Sequence, residues 1–166
     1  MNLSENPALK AFAGKAAILD TNLPLLDWCY KFDPSPLYSF KRLSIFEAVD
    51  VAILSSTLEV FASLATTPHI LTEISNLANA LPARIKDSWS AFFAGQIQLI
   101  TERHLPSRAI ASDPIAIRFG LTDAALAQLA ATHVVFTTDW PLTGLLQKRN
   151  LPVINFNHLR DAWMDS

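Results

Sequence analysis

Two short apolar runs, each delivering an aspartate where it ends, constrain this chain more than any other feature. Ala16 to Leu19 lead into Asp20, Thr21 and Asn22, and residues 133–138 (HVVFTT) stop at Asp139. Both read as strands covered on both faces, the habit of a parallel sheet held between helical layers. In such a sheet ligands bind beyond the carboxyl ends of the strands, where strand order reverses. If the two strands are neighbours at that point, Asp20 and Asp139 face one another across the crevice. An Asp at a strand end is also an ordinary helix cap, so the pair gains meaning only if further acids reach the same edge.

The rest of the chain alternates helix and strand patterns. Residues 1–14, broken by Pro7 and Gly14, read as a lead-in with one short helical turn. A short helix follows over 24–30 (PLLDWCY), with Pro24 tolerated in its first turn. The prolines between Asp33 and Pro36 mark a loop, and apolar residues at Leu43, Phe46, Val49 and Ile53 predict a helix over 40–54. The stretch 58–65 fits either a continued helix or a strand, and a strand over 61–66 is the reading taken. Ile70, Ile74, Leu77 and Leu81 share one helical face, with Glu73 at its edge. A helix over 82–98, ended by Gly95, precedes a third strand over 97–101. A short helix or turn over 114–119 stops at Gly120. Residues 121–131 read as a helix that Thr122 caps, with Asp123 in its first turn. After Asp139 come a helix over 140–150, a strand over 151–156 and a closing helix over 158–164. The expectation is an α/β chain, one domain over 1–166, folded as a three-layer α/β/α sandwich around a central parallel sheet.

Composition narrows the function classes. Of the 166 residues 51% are hydrophobic and only 17% charged, which suits a sheet covered on both faces or an apolar surface offered to a partner. No run reaches the roughly 18 apolar residues of a membrane span, since 51–65 is interrupted by Ser55, Ser56, Thr57 and Glu59. MNLSENPALKAF lacks the basic and long apolar segments of a signal peptide, and the single Cys29 cannot form an intramolecular disulfide, so a cytoplasmic protein is expected. The net charge of −2 argues at first against nucleic acid. Yet setting four of the 15 acids aside in a metal site leaves 11 against 13 Lys and Arg, a surplus of two positive charges elsewhere.

Carboxylates gathered together repel, and without a cation at least one takes up a proton. A hard divalent ion such as Mg²⁺ removes that penalty through oxygen ligands and retained waters. No Cys/His cluster of zinc spacing competes for the role.

Taken in order, LDTN at 19–22, LTEISNL at 71–77, LTDAALAQLA at 121–130 and VVFTTDWPL at 134–142 resemble the PIN domain, over about residues 16–156. The resemblance implies a metal-dependent nuclease, usually a ribonuclease, with Asp20, Glu73, Asp123 and Asp139 as its acidic, catalytic and metal-holding site. It implies Mg²⁺ or Mn²⁺ as cofactor, RNA as substrate, and minor polar roles for Asn22 and for Thr138 in the T-x-D turn. It also implies that the Asp20 and Asp139 strands lie side by side. Many bacterial members are VapC-like toxins paired with an antitoxin protein. This chain is longer than the compact members of that group through 31–40 and 82–114. Apolar content and family habit suggest a homodimer.

Each residue also has an ordinary reading. A Glu at a face edge is usually solvated, so the role of Glu73 rests on the resemblance. Asp27, Asp50, Glu102 and Asp113 read as surface groups, and His69 as a loop residue. Arg84 with Lys86, Arg103 with Arg108, and Lys148 with Arg149 are phosphate contacts or solvated faces. Trp28 and Trp89 read as core, whereas Trp140, directly after Asp139, is placed to stack on a base. The alternatives are a catalytically weak PIN-like module binding RNA or protein, and another metal-binding doubly wound fold such as a receiver domain or phosphatase.

Overall fold

The computed structural model describes residues 6–33 and 41–164. Its centre is β1 (Ala16–Leu19), where Ala17 and Ile18 are wholly buried. β1 pairs on one side with β2 (Ser63–Thr66) and on the other with β4 (Val134–Thr137). β3 (Thr101–Glu102) and β5 (Val153–Asn155) close the edges, giving five parallel strands in the order β3-β2-β1-β4-β5. The chain builds outward from β1 to β3, then returns to the far side of β1 to lay down β4 and β5. Strand order therefore reverses between β1 and β4, and Leu19 stands opposite Phe136 at that junction.

Helices flank the sheet in an α/β/α arrangement. They are α1 (Pro7–Lys10), α2 (Asn22–Phe32), α3 (Ala48–Leu58), α4 (Pro68–Leu77), α5 (Ala83–Leu99), α6 (Ser107–Ile110), α7 (Pro114–Phe119), α8 (Leu121–Leu129), α9 (Trp140–Lys148) and α10 (Phe156–Met164). α2 packs on α3 and α5, and α10 on α3, while α8 packs on α4, α6 and α7. The core is aromatic at two places. Phe136 and Phe156 meet edge to face at 5.9 Å, with Phe46 and Phe61 against them. Trp28 and Phe32 of α2 meet Trp89, Phe92 and Phe93 of α5, which gives the segment 82–99 a structural purpose. Trp28 and Trp89 are core residues, 5% and 2% exposed. No helix among the described residues is long and apolar enough to cross a membrane.

Several boundaries differ from the sequence expectation. α2 runs on to Phe32, and the loop expected over 33–36 lies, beyond Asp33, outside the described residues. The helix expected over 40–54 is instead a 3₁₀ turn, Lys41–Leu43, followed by α3 from Ala48 to Leu58, with position 40 outside the described residues. The reason is local: the Asp50 carboxylate accepts the Glu47 amide at 2.8 Å, which starts a new helix there. Gly95 does not end α5, because Ile97 on its last turn packs against the core and holds the helix to Leu99. The expected third strand over 97–101 shrinks to Thr101–Glu102. Asp27 and Asp50, read as surface groups, are buried, 4% and 0% exposed. Lys31 satisfies Asp27 at 2.7 Å, one helical turn away, and Arg160 reaches Asp50 at 2.6 Å from the far end of the chain.

Candidate active site

Asp20 follows β1 directly, and its amide bonds to the Phe136 carbonyl of β4 at 2.9 Å. Asp139 lies two residues beyond β4 and caps α9, its Oδ1 accepting the Leu142 amide at 2.6 Å. Both acids therefore hang from the carboxyl ends of adjacent strands at the reversal of strand order. Asp123 arrives differently. Gly120, at φ +107°, turns the chain so that α8 starts at this edge, with Asp123 in its first turn. Glu73 comes from the second turn of α4, the helix that follows β2 and is capped by Thr67. Asp20, Glu73, Asp123 and Asp139 line a single cleft of about 460 Å³, together with Asn22 and Thr138.

Three threonines hold the acids in place. The Thr137 hydroxyl donates to Asp20 Oδ2 at 2.6 Å and accepts the Asp139 amide at 2.9 Å, so one buried side chain fixes both strand-end acids. Thr21 donates to Glu73 Oε2 at 2.5 Å, and Thr122 donates to Glu73 Oε1 at 3.1 Å. Glu73 is thus a half-buried, doubly bonded carboxylate and not a solvated one. Thr122 makes no cap for α8, contrary to the sequence expectation, because its hydroxyl is turned to Glu73 and Gly120 occupies the cap position. Asn22 and Thr138 join each other, with Asn22 Nδ2 3.3 Å from the Thr138 hydroxyl. Asn157 donates to the Thr138 carbonyl at 2.9 Å and Thr143 to the Asp139 carbonyl at 2.6 Å, pinning the turn that carries Asp139.

Proximity is written into the acid strengths. The Asp20 carboxyl is pushed up by burial, then pulled back by bonds from Thr137 and the Thr21 amide, with repulsion from Glu73 and Asp139 adding to the rise. Asp123 is pushed up to about 7, by burial first and then by repulsion from Asp20, Asp139 and Glu73. Asp20 and Asp123 thus each feel the charge of Glu73 and Asp139. The donor set contains only oxygens, and the buried Asn22 Oδ1 has no hydrogen-bond partner among the described residues. Among the described residues no three His, Cys, Asp or Glu side chains converge tightly enough to form a preformed ion cage. Carboxylates spaced around a polar cleft fit a small hard cation that keeps several of its waters, as Mg²⁺ does.

Several participants were not singled out from sequence, and Thr122 was given a different role. Thr21, Thr137 and the Glu73 contact of Thr122 depend on which elements become neighbours, although the T-x-D turn in which Thr138 was noticed begins at Thr137. Arg42, exposed in the 3₁₀ turn, is the cation among the described residues that line the cleft. Of the other basic residues, Arg103 bonds His133 at 3.4 Å, away from the acids. Trp140 is 51% exposed beside Asp139, its ring edge to face with His158 at 4.7 Å. Compared with known proteins, the chain matches no protein-family model, and no curated protein matches it.

Proposed function

We propose that this cleft is the active site of a divalent-metal-dependent endoribonuclease of the PIN-domain kind. The observation that carries the reading is the convergence of four acids from four separate elements on one cleft at the reversal of strand order, at an energetic penalty visible in the raised Asp123. A fold that needed only helix caps would have no reason to keep them together.

Asp20, Glu73, Asp123 and Asp139 would hold Mg²⁺ or Mn²⁺. Such an ion, when bound, supplies compensation for phosphoryl charge and a water acidic enough to attack phosphorus near neutral pH. The protein's own groups do the positioning. Thr137 ties the Asp20 carboxylate to the Asp139 backbone, and Thr21 and Thr122 hold Glu73 beside them. Arg42 at the margin offers a guanidinium to the backbone phosphate, and Trp140 offers an exposed face on which a base can stack. RNA is the substrate and partner this arrangement needs. All four acids come from one chain, so neither an antitoxin nor a second copy is required to complete the cleft.

The second reading, a binding module without catalysis, draws on the lack of a preformed ion cage among the described residues. One assay separates the two. A mixed single-stranded RNA pool is incubated with purified protein in Mg²⁺, in Mn²⁺ and in EDTA, beside an Asp20→Asn/Asp139→Asn variant. The nuclease reading expects metal-dependent cuts that vanish in a variant whose melt shows it folded. RNA that binds and stays whole in both metals would leave the binding module.

A further inference from the structure

A second cavity, about 440 Å³, opens against the acidic cleft and shares Glu73, Leu121 and Thr122 with it. Its character is different. Pro68, Leu105 and Leu121 give it apolar walls, and His69, Thr72, His104 and Ser107 give it hydrogen-bonding groups. The His69 Nε2 lies 3.0 Å from the Ser107 hydroxyl, which joins the start of α4 to the start of α6 across the cavity. The His69 Nδ1 is buried with no hydrogen-bond partner among the described residues, so the ring retains unused bonding capacity. An apolar lining with a few fixed polar groups is what a small planar ligand requires.

We propose that this cavity is a nucleobase subsite, receiving the base next to the scissile phosphate and giving the enzyme its sequence preference. The proposal rests on the nuclease reading of the neighbouring cleft. A nucleotide spanning the two spaces would present unlike ends to unlike surroundings. Its phosphate belongs with the metal-holding acids and Arg42. Its base, neutral and flat, belongs between Leu105, Leu121 and Pro68, with its polar edge toward His69 and Ser107. The shared wall of Glu73, Leu121 and Thr122 makes the two ends adjacent. The cavity's lining residues include the Glu73 carboxylate and neither Lys nor Arg, which favours a base over a second phosphate.

The test is binding, so it does not depend on turnover. The four nucleoside 5′-monophosphates, and ribose 5-phosphate as a probe without a base, are titrated in Mg²⁺ buffer while NMR follows the His69 imidazole and the Leu105 and Leu121 methyl signals. At least one nucleotide is expected to shift these signals saturably, with ribose 5-phosphate at least about tenfold weaker. Ser107→Trp fills the cavity from the α6 side and is expected to abolish the response. Leu105→Trp does the same from the loop, should the first variant fail to fold. If no nucleotide moves these signals, or ribose 5-phosphate moves them equally, the subsite is refuted. Base-dependent shifts without metal-dependent cleavage would remove the nuclease reading and keep the base pocket. Cleavage without base-dependent shifts would do the reverse.

Discussion

Replacing Asp123 by Asn should make the metal-free protein more stable while disabling it. Asp123 ionises at about 7 in the fold, against 3.8 for the free side chain. Each pH unit in that interval is worth about 1.4 kcal/mol, so the ionised group destabilises the fold by at most about 4 kcal/mol. Because the folded pKa lies above the unfolded one, the penalty is absent below the unfolded value, grows as pH rises, and is complete above the folded one. Solvent in the cleft screens part of it, leaving about 2 kcal/mol as the expected gain for Asn at about pH 8. For a chain of this size that is a rise of about 4–8 °C in Tm. Thermal melts of both proteins in EDTA, at about pH 4.5 and about pH 8, read the effect, which should shrink to about a quarter of its size at the lower pH. Mg²⁺ should raise the wild-type Tm at the higher pH more than that of the variant. Equal Tm values at the higher pH, or a gain of the same size at both, would refute the argument that burial, helped by the neighbouring acids, resists the ionisation of Asp123.

Thr137→Val keeps the shape of the side chain but removes the hydroxyl that fixes Asp20 and Asp139; cleavage should fall by about 10²-fold, as misplacement of about an ångström does, with metal-dependent activity retained in Thr137→Ser. Trp140→Ala should weaken binding of single-stranded RNA by about 1–3 kcal/mol, measured by fluorescence anisotropy in Ca²⁺, and an unchanged Kd would remove Trp140 from the interface. Arg160→Met strands the buried Asp50 and should lower urea stability by about 3–5 kcal/mol, whereas adding Asp50→Asn should restore part of the loss; an unaltered midpoint in the single variant would show the pair to be dispensable.

The sheet was readable because both central strands carry their burial in their composition: AAIL and VVFT leave no polar face to expose. The rule for parallel sheets located a crevice where strand order reverses, while the pairing of the two strands and the place of Glu73 beside them came from the resemblance to the PIN domain. What escaped the sequence was what depends on partners far along the chain. Asp50 is buried because Arg160 meets it across 110 positions. No local pattern announces that. Threonine is common and its hydroxyl short, so Thr21 and Thr137 acquire meaning only once α4 and β4 stand beside β1. Gly95 misled for a related reason. Its helix survives because α5 is held by Trp28 and Phe32 packing on Trp89, Phe92 and Phe93, a tertiary gain larger than the roughly 1 kcal/mol that an interior glycine loses.

A narrow RNA preference could hide activity from any chosen substrate, but it cannot hide the metal. The decisive measurement is therefore Mn²⁺ binding by electron paramagnetic resonance at about pH 8, comparing the wild type with Asp20→Asn/Asp139→Asn. Saturable binding to the wild type, weakened at least about tenfold in a folded double variant, is the predicted result. Equal binding by the two proteins, or none by either, would contradict the claim that this cleft is a metal site.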